Sequence, residues 1–259
     1  MNILINILVF VLGCLLSVGV RAAWPDDPFG SPMWAYNIER YLGSDARVVH
    51  DDRVNLRVPE FAEDSAQVPL TVDLSAFPEA PGQIVAWVDL NPVPHLFSAS
   101  PGPQPLTLLA LNFRVQQATT VRVAVQDREG VWHIGSRYVD AAGGGCTAPS
   151  QTMSNPDWER HFGTIRGGAF SRAEGMRYKV NVMHPMDSGM VGNIPAFFIG
   201  EVELRQGNGQ PLLLSMALSE SAAENPMFVF EFGQRPPRAT LWLRDNNGNQ
   251  FERRLGGDL

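Results

Sequence analysis

The sequence predicts an all-β protein: two immunoglobulin-like β-sandwich domains in tandem, with a short N-terminal helix and a Gly-rich inter-domain arm. Three observations indicate this. The 259 residues include 24 Gly and 20 Pro, which interrupt long helices and favour short strands and turns. Short apolar runs alternating with polar residues fill residues 54–140 and again residues 164–255. Between these blocks, residues 141–150 read AAGGGCTAPS, a composition that cannot bury much and predicts exposed, mobile chain.

The first domain is predicted over residues 23–140. A helix comes before its strands, because apolar residues recur at three-to-four spacing and a glycine follows at the C-cap position. These residues are Trp34, Ile38, Tyr41, Leu42 and Gly43. We expect this helix to pack across a sheet edge. Strands are then predicted at residues 68–74, 84–90, 106–115, 121–126 and 131–134.

The second domain is predicted over residues 164–259, after an arm and linker at residues 141–163. Its strands are predicted near residues 178–182, 202–204, 212–214, 228–232, 240–244 and 251–255. The glycine-containing segments at residues 206–210 and 245–249 are typical of hairpin turns. Each block ends in a strand, an Asp-x-x-Gly turn, a second strand and then glycines, which is a weak sign of internal repetition.

The first residues resemble an export signal. Residues 3–20 are nearly all apolar, and the Trp-Pro-Asp-Asp-Pro sequence at residues 24–28 cannot continue a helix. We predict a Sec-type signal peptide over residues 1–22, cut after Ala22, and hence a periplasmic protein without a membrane anchor. The alternative is an uncleaved anchor, since ~18 apolar residues just span a bilayer. Cleavage removes Cys14 and leaves Cys146, so an intramolecular disulfide is excluded.

The charge balance excludes two classes of partner. Lys and Arg total 20 against 27 Asp and Glu, a formal net charge of −7. Nucleic-acid binding needs a basic face that neutralises phosphates. Docking on an anionic membrane leaflet needs clustered basic residues as well. The sequence therefore predicts neither a nucleic acid nor a membrane surface as a partner.

Cys146 is the main candidate for chemistry. Gly143, Gly144 and Gly145 precede it and offer an unobstructed tether. No charged neighbour lies between Asp140 and Cys146, so the thiol is expected near its ordinary pKa of ~8.5, with a few per cent ionised at pH 7. Such a thiol suits covalent attachment by a partner enzyme better than catalysis. This interpretation requires an accessible sulfur: if the thiol were walled inside a hydrophobic interior with its flanking segment rigidly packed, the carrier hypothesis would fail and only a pair of sandwiches would remain.

A second candidate is a copper site in residues 183–190. Met183, His184, Met186 and Met190 are soft donors that suit Cu(I). The alternative is an ordinary turn, because Pro185 and Gly189 fit a strand connection and methionine commonly fills cores. The remaining histidines are isolated in sequence and are read as surface or core residues: His50, His95, His133 and His161.

Two further alternatives concern the whole protein. One is a purely structural pair of sandwiches in which Cys146 forms an intermolecular disulfide. The other is an enzyme acting alone, which the sequence disfavours because no general base lies beside a recognisable nucleophile. We predict a carrier rather than an enzyme, with no cofactor and no resident metal.

Several of these segments resemble a known family. The first block resembles the sulfur carrier SoxY in the VPLTV of residues 68–72, the NPVP of residues 91–94 and the glycine-flanked cysteine after the last strand. The second is similar to SoxZ in the HPMDSG of residues 184–189 and the IPAFFI of residues 194–199. The order and the fusion resemble the quinoprotein dehydrogenase-associated SoxYZ-like carrier family.

The resemblance implies a swinging-arm cysteine, Cys146, that carries a sulfur-containing or other thiol-reactive intermediate between periplasmic enzymes. It implies redox partners: c-type cytochromes, Sox-type enzymes or quinoprotein dehydrogenases. His184, Pro185, Met186 and Gly189 belong to the family motif without an assigned chemical role. In the family the arm is a free C-terminus reading Gly-Gly-Cys-Gly-Gly, whereas here a whole domain follows Cys146. Whether the chain forms a homodimer stays open.

Overall fold

The computed structural model describes residues 24–77, 80–192, 194–207, 211–234 and 238–256. The predicted signal peptide, residues 1–22, lies outside the described residues. Within the described ranges, no helix is long and apolar enough to cross a membrane.

Strands dominate the described part of the chain, which confirms the predicted all-β class. The first half contains β1 (Arg47–His50), β2 (Asn55–Arg57), β3 (Phe61–Ala62), β4 (Val68–Asp73), β5 (Ile84–Val88), β6 (His95–Pro101), β7 (Leu106–Phe113), β8 (Thr119–Gln126) and β9 (Val131–Ala141). The second half contains β10 (Ile165–Ser171), β11 (Met176–Val182), β12 (Ile199–Gln206), β13 (Leu212–Leu218), β14 (Met227–Phe232), β15 (Ala239–Asp245) and β16 (Gln250–Leu255).

Short helices lie at two places outside the sheets. The first, α1 (Trp34–Leu42), contains the predicted apolar positions and ends at the predicted C-cap Gly43, whose φ of 100° suits glycine. A four-residue helix, α2 (Trp158–His161), and two 3₁₀ turns, Gly145–Thr147 and Thr152–Ser154, occupy the connection between the halves.

The strands form two sheets that each run through both halves of the chain. In the described residues, a ten-stranded sheet has the order β1-β9-β8-β5-β6-β13-β12-β15-β16, with β3 beside β9. A six-stranded sheet has the order β10-β11-β14-β7-β4-β2. The halves meet where β6 pairs antiparallel with β13, and where β7 pairs antiparallel with β14. The two sandwich domains are therefore joined edge to edge through both layers.

Alternation of apolar residues builds the core between the sheets. In β14, Phe228, Phe230 and Phe232 point inward and are fully buried. β5 is buried on both faces, because its second face carries Val85 and Trp87 beneath α1. The expectation that α1 packs across a sheet edge is therefore wrong, since these apolar side chains give it a place on the outer face of the sheet.

Candidate functional site around Cys146

β9 delivers the chain directly to Cys146. The strand runs to Ala141, beyond its predicted end, and the glycines follow at once. Gly143 and Gly144 have φ values of 99° and 83°, in the left-handed region that glycine enters without strain. They turn the chain into the 3₁₀ turn Gly145–Thr147, which contains Cys146.

The arm is packed against the first half. Its backbone N–H groups at residues 143, 144 and 145 donate to Ser65 Oγ, the Gln116 carbonyl and the Val115 carbonyl, at 3.3, 3.1 and 3.0 Å. A Cβ atom at Gly145 would lie 1.9 Å from the carbonyl oxygen of Ser65, so no larger residue fits there. The predicted exposure is wrong at Gly145 and Cys146, which are buried, and right at Ala142, Thr147 and Pro149. The glycines allow close approach of two backbones as well as a turn.

Cys146 and the preceding Gly145 are buried, whereas Ala142, Thr147 and Pro149 are exposed. Cys146 is 2% exposed, and its thiol is free. Burial raises the pKa of the Cys146 thiol to about 11, and the nearby Arg114 guanidinium opposes this only in part. About one thiol in ten thousand is then ionised at pH 7. The predictions of an accessible sulfur and an ordinary pKa are therefore wrong for this conformation.

Arg114 connects the arm to the second half. It follows β7 and is 2% exposed. Its Nη1 donates to the carbonyls of Gly145 and Ala148, both at 3.4 Å. Its Nη2 donates to the carbonyl of Met186 at 3.0 Å, and its Nε to that of Ala222 at 3.4 Å. Burial lowers the pKa of Arg114, while surrounding acidic groups oppose this.

Sequence reasoning missed Arg114, although a signal was present. It is a lone charge between Phe113 and Val115, directly after a strand without charged residues. A charged residue in such a run must find polar partners when it is buried. Its partners are backbone carbonyls from distant segments, which no local pattern reveals.

The HPMDSG loop, residues 184–189, lies on the other side of the arm. Ser188 Oγ donates to the carbonyl of Cys146 at 2.7 Å, in a buried position. Met186 supplies the carbonyl that Arg114 contacts. The structure thus brings the two sequence-predicted motifs together: the glycine arm of the first half and this loop of the second.

Comparison with protein families agrees with this arrangement. Residues 38–146 match the family model of SoxY, sulfur oxidation protein, and residues 168–255 match that of SoxZ, sulphur oxidation protein. A SoxY-type match is thus followed by a SoxZ-type match in one chain, which supports a SoxYZ-like fusion. The SoxY match ends at Cys146, and the SoxZ match contains the HPMDSG loop.

Comparison with solved structures shows weaker similarity. The sulfur carrier protein SoxY from Chlorobium limicola f thiosulfatophilum is 23% identical with a TM-score of 0.37, over 42% of this chain and 90% of that one. A pullulanase complexed with maltotriose from Anoxybacillus sp. LM18-11 is 10% identical with a TM-score of 0.22, over 76% of this chain and 25% of that one. Neither likeness carries an argument about function. No curated protein matches the chain.

His184 of the SoxZ-type half is a structural residue in this conformation. It is fully buried, and its Nδ1 accepts the backbone N–H of Met186 at 3.1 Å. Its Nε2 lies 3.5 Å from Asp245 Oδ2, and the ring of Phe197 packs 4.6 Å away. Burial lowers the pKa of His184 to about 4, and Asp245 opposes this only in part. The ring is therefore neutral near pH 7.

The other residues of the loop keep its backbone tightly folded. Pro185 is buried beside His184, and Met186 has an unusual φ of 48°. Met186 Sδ accepts the backbone N–H of Ile199 at 3.2 Å. Gly189 has a φ of 73°, and a Cβ there would lie 2.9 Å from the backbone nitrogen of Ala196. Strained positions of this kind persist only where the surroundings hold them.

These contacts bear on the copper hypothesis. The sulfur of Met186 and Nδ1 of His184 already accept backbone N–H groups inside the loop. Met183 and Met190 are partly buried beside them. The geometry thus favours the alternative of a structural turn over a Cu(I) site.

Proposed function

We propose that this SoxYZ-like fusion is a covalent carrier, in which Cys146 holds a sulfur-containing or other thiol-reactive intermediate and partner enzymes perform the chemistry. One observation carries the proposal. The SoxY match ends at Cys146, the residue to which the glycine arm leads.

Attachment by oxidation forms one sulfur–sulfur bond from two thiols. The Cys146 sulfur joins the sulfur of the incoming group, two protons pass to water, and two electrons pass to a redox partner. A c-type cytochrome or another redox enzyme of the sulfur-oxidising or quinoprotein type fits that role. Exchange with an existing sulfur–sulfur bond is the second route, and it needs no oxidant because the leaving group departs as a thiolate.

The buried position of Cys146 imposes a condition on this function. An enzyme cannot reach a thiol that is 2% exposed. The carrier role therefore requires that the arm leaves its packed position for loading. Release into water would return the thiol to an ordinary pKa of ~8.5 and raise its ionised fraction at pH 7 a few hundredfold.

The place of action is part of the same proposal. A signal peptide over residues 1–22 would deliver the protein to the periplasm, where the redox partners named above work. An association with quinoprotein dehydrogenases rests on the order and fusion of the two domains. The burial of Cys146 disfavours the alternative of a constitutive intermolecular disulfide, because a second chain would need access to the same sulfur.

Mass spectrometry of the intact protein, purified from its native compartment under non-reducing conditions, tests the carrier role. We expect a mass adduct that maps to the peptide containing Cys146 and that disappears on reduction. The Cys146→Ser variant should carry none. An unmodified thiol under every growth condition that supports sulfur or alcohol oxidation would overturn the proposal.

A further inference from the structure

We propose that the arm is a latch tethered at both ends: the HPMDSG loop, through Ser188, and Arg114 hold Cys146 in a closed position, and the arm opens as a loop rather than as a free tail. The proposal deepens the carrier function by assigning its regulation, and it gives the HPMDSG motif a role. Ser188 and Arg114 are positioning residues here, because each contacts the backbone of the arm.

The upstream end of the arm is a hinge. β9 is fixed by its pairing with β8 as far as Val139. Beyond it, Gly143 and Gly144 already occupy left-handed conformations. Glycine moves between such conformations and extended ones at little steric cost. Rotation at these two residues can swing Cys146 without disturbing the sheet.

The downstream end is clamped by Glu224. Its two carboxylate oxygens accept the backbone N–H groups of Gln151 and Thr152, each at 2.8 Å, and the hydroxyl of Thr152 at 2.8 Å. Asn225 adds a bond from Nδ2 to the same hydroxyl at 2.7 Å. Hydrogen bonds to an ionised carboxylate are strong, so this clamp should persist while the arm opens.

Between hinge and clamp, within the described ranges, no carboxylate holds the arm: the backbone N–H groups of Gly144 and Gly145 donate to carbonyls at 3.1 and 3.0 Å, and the other contacts are few. Arg114 reaches Gly145 and Ala148 at 3.4 Å, near the limit for a hydrogen bond. Ser188 supplies one shorter bond, to the Cys146 carbonyl. Beside the arm, Arg114, Pro149 and Glu224 line a small cleft of about 70 Å³. The segment at residues 142–150 can therefore detach while both its ends stay fixed.

Two fixed ends limit how far Cys146 can travel. At 3.3–3.6 Å per residue, a loop over residues 142–150 reaches at most about 15 Å from its base. A partner enzyme that loads it must therefore present its reacting group near its surface. A deep, narrow channel would suit a free tail but not this arm.

Alkylation of Cys146 by iodoacetamide, with the site confirmed by peptide mass spectrometry, tests the latch on the reduced full chain. Ser188→Ala removes one bond that holds the closed arm, so we expect a two- to tenfold faster reaction. Ser188→Thr keeps the hydroxyl and should restore the slow rate. Gly145→Ala, which leaves no room for the closed arm, should accelerate alkylation further.

Matched controls separate arm opening from unfolding of the whole protein. Ser219→Ala removes a bond from Oγ to the His95 carbonyl at 2.5 Å, which also joins the two halves. Gly168→Ala adds a Cβ in open space. Neither should change the rate. Equal rates for Ser188→Ala and the wild type, or equal acceleration by Ser219→Ala, would overturn the latch.

A last variant tests the clamp. Glu224→Ala frees the downstream end and should also accelerate alkylation, whereas Glu220→Ala should not; no difference between the two would overturn the double tether. None of these measurements needs cargo. If the latch behaves as expected but no adduct is ever found on Cys146, the carrier function fails and the latch stands. If an adduct is found and the alkylation rate does not change in Ser188→Ala, the latch fails and the carrier function stands.

Discussion

Two arginines are buried in the described part of the chain, and they are held in opposite ways. Arg122, in β8 under α1, faces two carboxylates: Asp89 at 3.0 Å and Asp27 at 2.7 Å. Trp34 covers its guanidinium at 4.7 Å. Arg114, beside the carrier arm, donates to four neutral carbonyls at 3.0–3.4 Å. In the described ranges, no carboxylate comes within ion-pair distance of Arg114.

The different partners make Arg122 a permanent contact and Arg114 a contact that can be released. A buried cation with short bonds to two carboxylates cannot leave without exposing buried charges on both sides. A cation held by long bonds to carbonyls loses less when water replaces some of those carbonyls. We infer that the fold uses Arg122 to fix α1 on the sheet, and Arg114 to hold a segment that must move.

The largest expected effect comes from Arg122→Ala. It leaves Asp89 buried and without its charge partner, so we expect the free energy of unfolding to fall by about 3–5 kcal/mol. Urea denaturation followed by circular dichroism measures this. Arg137→Ala, at an exposed position of β9, is the control and should stay within ~0.5 kcal/mol of wild type. A loss below 1 kcal/mol for Arg122→Ala would contradict the claim that Arg122 is a permanent contact.

Arg114→Ala should lower the free energy of unfolding less than Arg122→Ala does, but it should open the arm more often. Four carbonyls lose a donor, and we expect a loss of about 2–4 kcal/mol together with faster alkylation of Cys146. For both measurements, Arg114→Lys should fall between wild type and Arg114→Ala. An ammonium group keeps the charge but cannot donate to the same four carbonyls as a guanidinium. Were Arg114→Ala to destabilise the protein as much as Arg122→Ala while alkylation stayed slow, Arg114 would be a permanent contact as well.

Local sequence patterns predict the motifs around Arg114 better than they predict how those motifs pack together. The glycines before Cys146, the HPMDSG loop and the C-terminal end of α1 were all visible as short motifs. The burial of Cys146 was not, because it depends on Ser65, Val115 and Ser188, which lie far away in the chain. The joining of both sheets was missed for the same reason, since it requires β6, whose residues His95–Pro101 alternate only weakly.

Alkaline pH should weaken the closed arm specifically. Burial raises the pKa of the Cys146 thiol to about 11, so the buried form keeps its proton where an exposed thiol loses it. The resulting stability is complete below pH 9 and is lost as the pH rises from about 9 to 11, by at most about 2–3 kcal/mol. Stability measured across this window should fall more for wild type than for Cys146→Ser. Parallel curves would show that the thiol is not buried in solution.

The smallest effect is expected at an ion pair near the surface, which sets the scale for the two buried arginines. Arg53 pairs with Asp51 at 2.5 Å, and its hydrogen bonds, with help from His133, lower the pKa of Asp51 to about 2. A lowered carboxyl pKa stabilises the fold above pH 4, and this contribution is lost as the pH falls towards 2. Because Arg53 is largely exposed, Arg53→Ala should cost only about 0.5–1 kcal/mol at pH 7.

The titration of Asp51, followed by NMR, gives the direct measure for this pair. In Arg53→Ala the carboxyl pKa should rise towards its ordinary value of 3.8. The control is Arg57→Ala, at an exposed arginine that lies 3.4 Å from Asp73, and it should leave the pKa of Asp51 unchanged. If Arg53→Ala cost as much stability as Arg114→Ala, burial would not be what distinguishes these arginines, and the weak hold on the carrier arm would need another cause.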